Sequence, residues 1–184
     1  MNNITQLKYP PIKSLLQKKM PKELVYCTNE KFCGIAASDT FYIFSTKNPK
    51  NFCKMTCLPD TIEREGIKGV SLYIWKLISN VSGKGLGTKM LDFAQVHSKK
   101  IGCNGFFHLT ASCAYTPHKI PHVFYKKYGM TSNDQKIDRK LDKLIKKKKF
   151  GTYLQFQNID FYYPPLNKKD GKLASLIKGI KDIF

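Results

Sequence analysis

The chain has 184 residues, 42% of them hydrophobic, and a formal net charge of +19. That apolar fraction at this length excludes a disordered chain and implies one domain with its own core. No apolar run approaches the roughly 18 residues needed to span a bilayer.

In chain order, residues 5–20 carry Leu7, Ile12, Leu15, Leu16 and Met20, and Pro10-Pro11 favours a helix that begins near them. Met1–Met20 is polar and lysine-bearing, without the apolar core of a signal peptide, so a cytoplasmic protein is expected. Three short strands are predicted next, Leu24–Cys27, Cys33–Ala37 and Thr40–Ser45, with turns at Thr28-Asn29-Glu30 and Ser38-Asp39. Thr46–Gly69 reads as loop-rich, with Pro49 and Pro59. Val70–Ile78 (VSLYIWKLI) has the near-continuous apolar character of a buried central strand. The glycine loop Gly83-Lys84-Gly85-Leu86-Gly87 follows. It opens a helix from Thr88 to about Lys100, whose apolar face is Met90, Leu91, Ala94 and Val96.

Phe106–Ala111 is the next predicted strand, and His118–Tyr128 a helix closed by a left-handed Gly129. Ser132 with Gln135 resembles a capping box for a helix to about Lys149, striped by Ile137, Leu141, Leu144 and Ile145. Its Lys146–Lys149 run suits the negative end of a helix dipole. Thr152–Phe156 and Ile159–Tyr163 are the last predicted strands, stopped by Pro164-Pro165. Leu173, Leu176, Ile177, Ile180 and Phe184 mark an amphipathic tail helix. The six cysteines (Cys27, Cys33, Cys53, Cys57, Cys103, Cys113) form no Cys-x-x-Cys pair, so free buried thiols are expected and no metal.

The charge points to polyanionic partners, RNA among them. Yet thirty of the thirty-two basic residues are lysine, and only Arg64 and Arg139 offer the planar fork that reads phosphates and bases bidentately. Lysine-rich composition alone accounts for the charge equally well.

Chemistry concentrates between Val70 and Met130. Alternate glycines at a strand-to-helix junction let backbone approach a ligand, and the amides of the first helical turn face a docked anion. This is a pyrophosphate grip. A Walker A loop needs Gly, four residues, then Gly-Lys-Ser/Thr, and none occurs. The dinucleotide fingerprint needs G-x-G-x-x-G, whereas these glycines are 83, 85 and 87, and Phe106–Ala111 carries no acidic residue.

WKLISNVSGKGLGTKML, Trp75–Leu91, resembles the acetyl-CoA-binding motif of the GNAT superfamily of N-acetyltransferases. The motif is a central strand, Arg/Gln-x-x-Gly-x-Gly/Ala, then a helix, so Gly85 and Gly87 fall on its small positions and Ser82 on its leading Arg/Gln. VFYKKYGM, Val123–Met130, resembles the family's second signature, Phe-Tyr-Glu-Lys-x-Gly-Phe. Tyr125 then takes the place of the tyrosine that protonates the departing CoA thiolate. His118 falls where the family carries asparagine, and Pro121 where it carries alanine.

The resemblance implies one α/β (α+β) domain over 1–184, a central mixed sheet flanked by helices. Its N-terminal part is shortened, a helix is inserted near 133–149, and a tail helix ends it. It implies acetyl-CoA bound with its pantetheine beside Leu77, Ile78 and Ser79. The pyrophosphate would lie on Ser82, Gly83, Lys84, Gly85, Leu86, Gly87 and Thr88, with His118 lining the thiol side. The Ser82 departure removes a long side chain near the phosphates, where Lys84 and Lys89 add charge. The base stays open among Glu63, Glu65, His108, His118, His122 and water, and a covalent route through Cys113 lacks a supporting motif.

The implied reaction is direct acetyl transfer to an amine of a small molecule, peptide or protein. The alternatives are an RNA-attached amine such as charged tRNA, a non-catalytic acyl-CoA-binding domain, and a basic nucleic-acid-binding module.

Overall fold

The computed structural model describes residues 23–32, 36–64, 67–112, 121–147 and 158–164. The predicted N-terminal helix, the strand 152–156, the tail helix, Cys33, Glu65, Cys113, His118, Lys148 and Lys149 lie outside the described residues.

The architecture is the mixed α/β arrangement expected. A seven-stranded sheet has the order β1-β2-β3-β4-β5-β7-β6. Its strands are β1 Glu23–Phe32, β2 Ala36–Ser45, β3 Phe52–Arg64, β4 Ile67–Ser79, β5 Phe107–Ala111, β6 Thr131–Ser132 and β7 Ile159–Tyr163. Helix α1 (Leu86–Lys100) connects β4 to β5, their parallel neighbour relation requiring such a crossover. Helices α2 (Pro121–Tyr128) and α3 (Gln135–Lys147) follow β5 and β6.

The N-terminal half departs from expectation. The three short strands are two long ones, because the polar residues read as turns pair across the ladder: Asn29 stands opposite Asp39 and Glu30 opposite Ser38, and Thr28 opposite Thr40 of the predicted strand. The stretch read as loop is β3 with the start of β4. Its alternation is present, with Cys53, Met55 and Cys57 buried, but cysteine and methionine are weak strand signals. Pro59 is tolerated because β2 pairs with β3 only as far as Cys57, which leaves an open edge beyond it.

The buried face of α1 is Leu86, Met90, Leu91, Ala94 and Ser98. Val96, expected on that face, is 51% exposed, since two residues beyond Ala94 is about 200° around a helix. The helix packs on Phe41 of β2 through Phe93 and His97, with ring centroids 4.8 and 4.7 Å away. Ser98 donates to the carbonyl of Phe106 at 2.6 Å, tying the end of α1 to the entry of β5.

Gly129 closes α2 as expected, at φ +103°. Its N–H donates to Lys126 O at 3.0 Å and that of Met130 to Tyr125 O at 3.1 Å, the paired bonds of a Schellman cap. The expected Ser132–Gln135 capping box is absent. Asp134 caps α3 instead, its carboxylate accepting the N–H of Lys136 at 2.7 Å, while Ser132 Oγ accepts that of Asp134. Leu141 is buried and Ile137, Leu144 and Ile145 half-buried, so the stripe is as read. Lys126 of α2 bridges to Asp138 and Asp142 of α3 at 3.3 and 3.6 Å.

Candidate functional site

A fork in the sheet organises the site. The parallel register of β4 and β5 consists of Leu72 opposite Phe107 and Tyr73 opposite His108, and ends there. Immediately beyond, the β3–β4 register slips, from Cys57 opposite Ile74 to Thr56 opposite Lys76. Trp75 is the extra residue of this bulge. A bulge bends and twists its strand, and here it falls where β4 and β5 cease to pair. The C-terminal ends of parallel strands at such an opening are where α/β sheets take ligands.

The chain leaves β4 on a fixed heading. Asn80 donates to Lys50 O at 2.6 Å and accepts from Phe52 N at 2.8 Å, and Ser79 Oγ donates to Val81 O at 2.7 Å. Gly83 and Gly85 then adopt φ +72° and +74°. A Cβ on either would meet nothing within 4 Å, so conformation, not crowding, requires glycine there. Gly85 is the N-cap of α1, with no side-chain cap and no acidic residue in the first turn. The amides of Leu86, Gly87 and Thr88 precede the first intrahelical bond, from Lys89 N to Gly85 O.

At Gly87 packing also requires glycine. A Cβ there would stand 3.0 Å from Phe124 Cζ, so this glycine admits the α2 ring against the start of α1. Leu86, placed among the cofactor residues, turns its side chain into the core at 4% exposure and has only its N–H to offer. Leu77 and Ser79 lie on the helix side of β4, opposite Met55 and Cys53, whereas Ile78 faces the other side at 44% exposure. Ser82, Lys84 and Thr88 are exposed on the loop and first turn.

Tyr125 is 7% exposed. Its ring is 5.9 Å from that of Phe161, which stands opposite Leu109 on one arm of the fork. Its hydroxyl lies in the field of Cys53, opposite Ser79 on the other arm. Tyr125 thus spans the opening from the helix side. Burial, then Cys53, pushes its phenol well above the usual range. Tyr128 instead donates to Asp92 of α1 at 2.9 Å and packs on Phe107 and Tyr163.

The base candidates separate clearly. Glu63 is exposed, paired with Lys68 at 3.6 Å, near the far end of the β3–β4 hairpin. His122 is fully buried against Phe161, its pKa pushed down to about 4 by burial despite a hydrogen bond with Ala111. His108 sits on the last paired rung of β4 and β5, on the face away from the helices. It is stacked between Tyr73 and Tyr162, with centroids 4.9 and 5.8 Å away. Its Nδ1 is 3.0 Å from Ser71 Oγ and its Nε2 is 3.5 Å from Asp60. Burial lowers its pKa, opposed by Asp60 and Asp160. Asp60 lies in the stretch read as loop, whose alternation over Phe52–Arg64 is the available signal; Ser71 lies in the predicted strand, opposite Asp60, and no local pattern pairs it with His108. Cys53, Cys57 and Cys103 are buried and outside any disulfide, and burial pushes Cys53 up to about 12.

No family profile and no curated protein sequence matches the chain. Among solved structures it is similar to a mutant of the toxin AtaT bound to acetyl-CoA and the C-terminus of the antitoxin AtaR. The TM-score is 0.40 and the identity 14%, over 69% of this chain and 68% of that one. It is also similar to an acyl-CoA N-acyltransferase from Pseudomonas aeruginosa, with a TM-score of 0.37 and 14% identity, over 70% and 69%.

Proposed function

We propose that the chain acts as one GNAT-like domain that transfers an acyl group, acetyl in the first instance, from acyl-CoA to an amine in the cytoplasm. The observation that carries this is the fork in the sheet followed directly by left-handed glycines that feed the bare N-terminus of α1. The pyrophosphate sits on the amides of Gly83–Thr88, with Lys84 and Lys89 adding charge. The pantetheine runs beside Leu77 and Ser79.

The fork gives the two sides of the sheet separate tasks. Tyr125 approaches from the helix side and His108 from the other. The amine nitrogen attacks the thioester carbonyl, the C–S bond breaks, and Tyr125 supplies a proton to the thiolate. His108 takes the proton the amine sheds, as an imidazolium stabilised by Asp60. A second reading, an amine carried on RNA such as charged tRNA, is favoured by the net charge of +19.

Thermal-shift titration with acetyl-CoA and CoA tests the proposal. Ligand at 100-fold its Kd stabilises by about 2.7 kcal/mol, a rise of roughly 5–10 °C for a chain of this size. Gly85→Asp should remove the rise while leaving the unliganded protein folded. No shift with either ligand would overturn the proposal, and binding without turnover on any amine would favour a non-catalytic acyl-CoA-binding domain.

A further inference from the structure

Helix α3 separates apolar from cationic residues sharply. It packs on α2 and β6, and its apolar stripe, Ile137, Leu141, Leu144 and Ile145, is buried or half-buried. Lys136, Arg139, Lys143 and Lys147 are all exposed. At about 100° per residue these four fall within about 80° of the opposite arc, in a line about 16 Å long. Arg139 is one of the two arginines of the chain. The carboxylates of the helix are turned elsewhere: Asp138 and Asp142 both bridge to Lys126 of α2, at 3.3 and 3.6 Å. Lys126 directly follows Tyr125, so the same bridge ties α3 to the helix that carries the proposed acid.

Such a ridge attracts anions and offers them nothing apolar. A helix that lies on a membrane buries an apolar face beside its basic one, and that of α3 is spent inside the fold. A protein partner draws its affinity from aromatic or apolar anchors seated in pockets, and this convex line has neither. Nucleic acid needs only cations that replace its counterions, and the Arg139 fork can hold one phosphate bidentately. The packing of its inner side lets α3 lie along a duplex but not sink into a major groove about 8.5 Å deep. The minor groove of B-form DNA, about 6 Å wide, is narrower than a helix of about 10–12 Å. A-form RNA presents a wide, shallow one between its phosphates. We infer that α3 docks along the shallow groove of an RNA stem, with phosphates at Lys136, Arg139, Lys143 and Lys147. What the docking serves rests on the reading of an RNA-borne amine, whereas the binding itself requires no acyl-CoA.

Fluorescence anisotropy of a labelled RNA hairpin, with no CoA ligand present, tests this. The affinity should fall with salt, and Lys136→Gln/Lys143→Gln should flatten the log–log slope by about 1.8, at roughly 0.9 per phosphate on a duplex. Glutamine forms helix about as well as lysine, so α3 should persist in that variant, as circular dichroism would show. Lys99→Gln/Lys100→Gln, at the end of α1, removes the same charge and should leave the slope as it is. A DNA hairpin of the same sequence should bind more weakly, and phosphatidylserine vesicles should not displace the RNA. Equal flattening by both pairs would overturn the inference, because net charge alone would then suffice. DNA binding as tight as RNA, or displacement by the vesicles, would overturn it as well. Since no acyl-CoA is present, any of these failures would leave acyl transfer standing, and absence of a thermal shift with acetyl-CoA would leave this binding intact.

Discussion

Tyr125 combines a raised pKa with a position across the fork, and the two have separate consequences. A phenol held above its usual range keeps its proton throughout the accessible pH span, so kcat should show no falling limb from this group up to about pH 10. Tyr125→Phe keeps the ring against Phe161 and should leave acetyl-CoA affinity intact while kcat falls about 10²-fold. Tyr128→Phe loses only the bond to Asp92 and should turn over normally. Normal turnover by the first variant and a dead second one would transfer the acid role to Tyr128. His122 gives a stability prediction. Its pKa is about 4 in the fold against a usual 6.5, so the unfolded chain binds the proton more readily. The stabilisation from keeping it neutral is complete above pH 6.5 and is lost as pH falls toward 4. From pH 7.5 to 5 this amounts to about 2 kcal/mol. Urea unfolding of wild type and His122→Gln at both values should show this much extra pH dependence in the wild type.

At the scale of elements, the glycine loop divides its labour between conformation and packing. Gly85→Ala forces a side chain into the left-handed region and should cost about 1 kcal/mol. Gly87→Ala must push the Phe124 ring from 3.0 Å, so it should shift α2, read as altered chemical shifts around Val123–Tyr125. Lys146→Gln/Lys147→Gln, at the end of α3, should leave acetyl-CoA affinity unchanged, as calorimetry would show. The loop and its strand and helix were legible in the sequence because glycine placement and a buried strand are local signals. The fork was not. It depends on a register slip opposite Trp75, and no local pattern marks where a strand stops pairing with a neighbour thirty-five residues on, the separation of Tyr73 and His108. Long β1, β2 and β3 were likewise hidden, since Thr28 and Asn29 look like turn residues until Thr40 and Asp39 are set opposite them.

For the whole molecule, a charge of +19 opposes compaction through its own repulsion. Raising sodium chloride from about 0.01 to 0.15 M, which shortens the screening length from about 30 to 8 Å, should therefore raise Tm; an unchanged or falling Tm would mean the lysines are already neutralised in pairs. The short parallel register of β4 and β5 has a mechanical meaning as well. β1 to β4 form one antiparallel block and β5, β7 and β6 another, and within the sheet two rungs join them. Such a seam is where a cooperative fold divides into sub-units that open separately. Amides at the seam should exchange with solvent well before those on the ten-rung ladder of β1 and β2. A ligand lodged in the fork touches both blocks and acts as a clasp. Exchange should then slow on Leu109–Ala111 and Leu77–Ser79 together, and the two blocks should open as one.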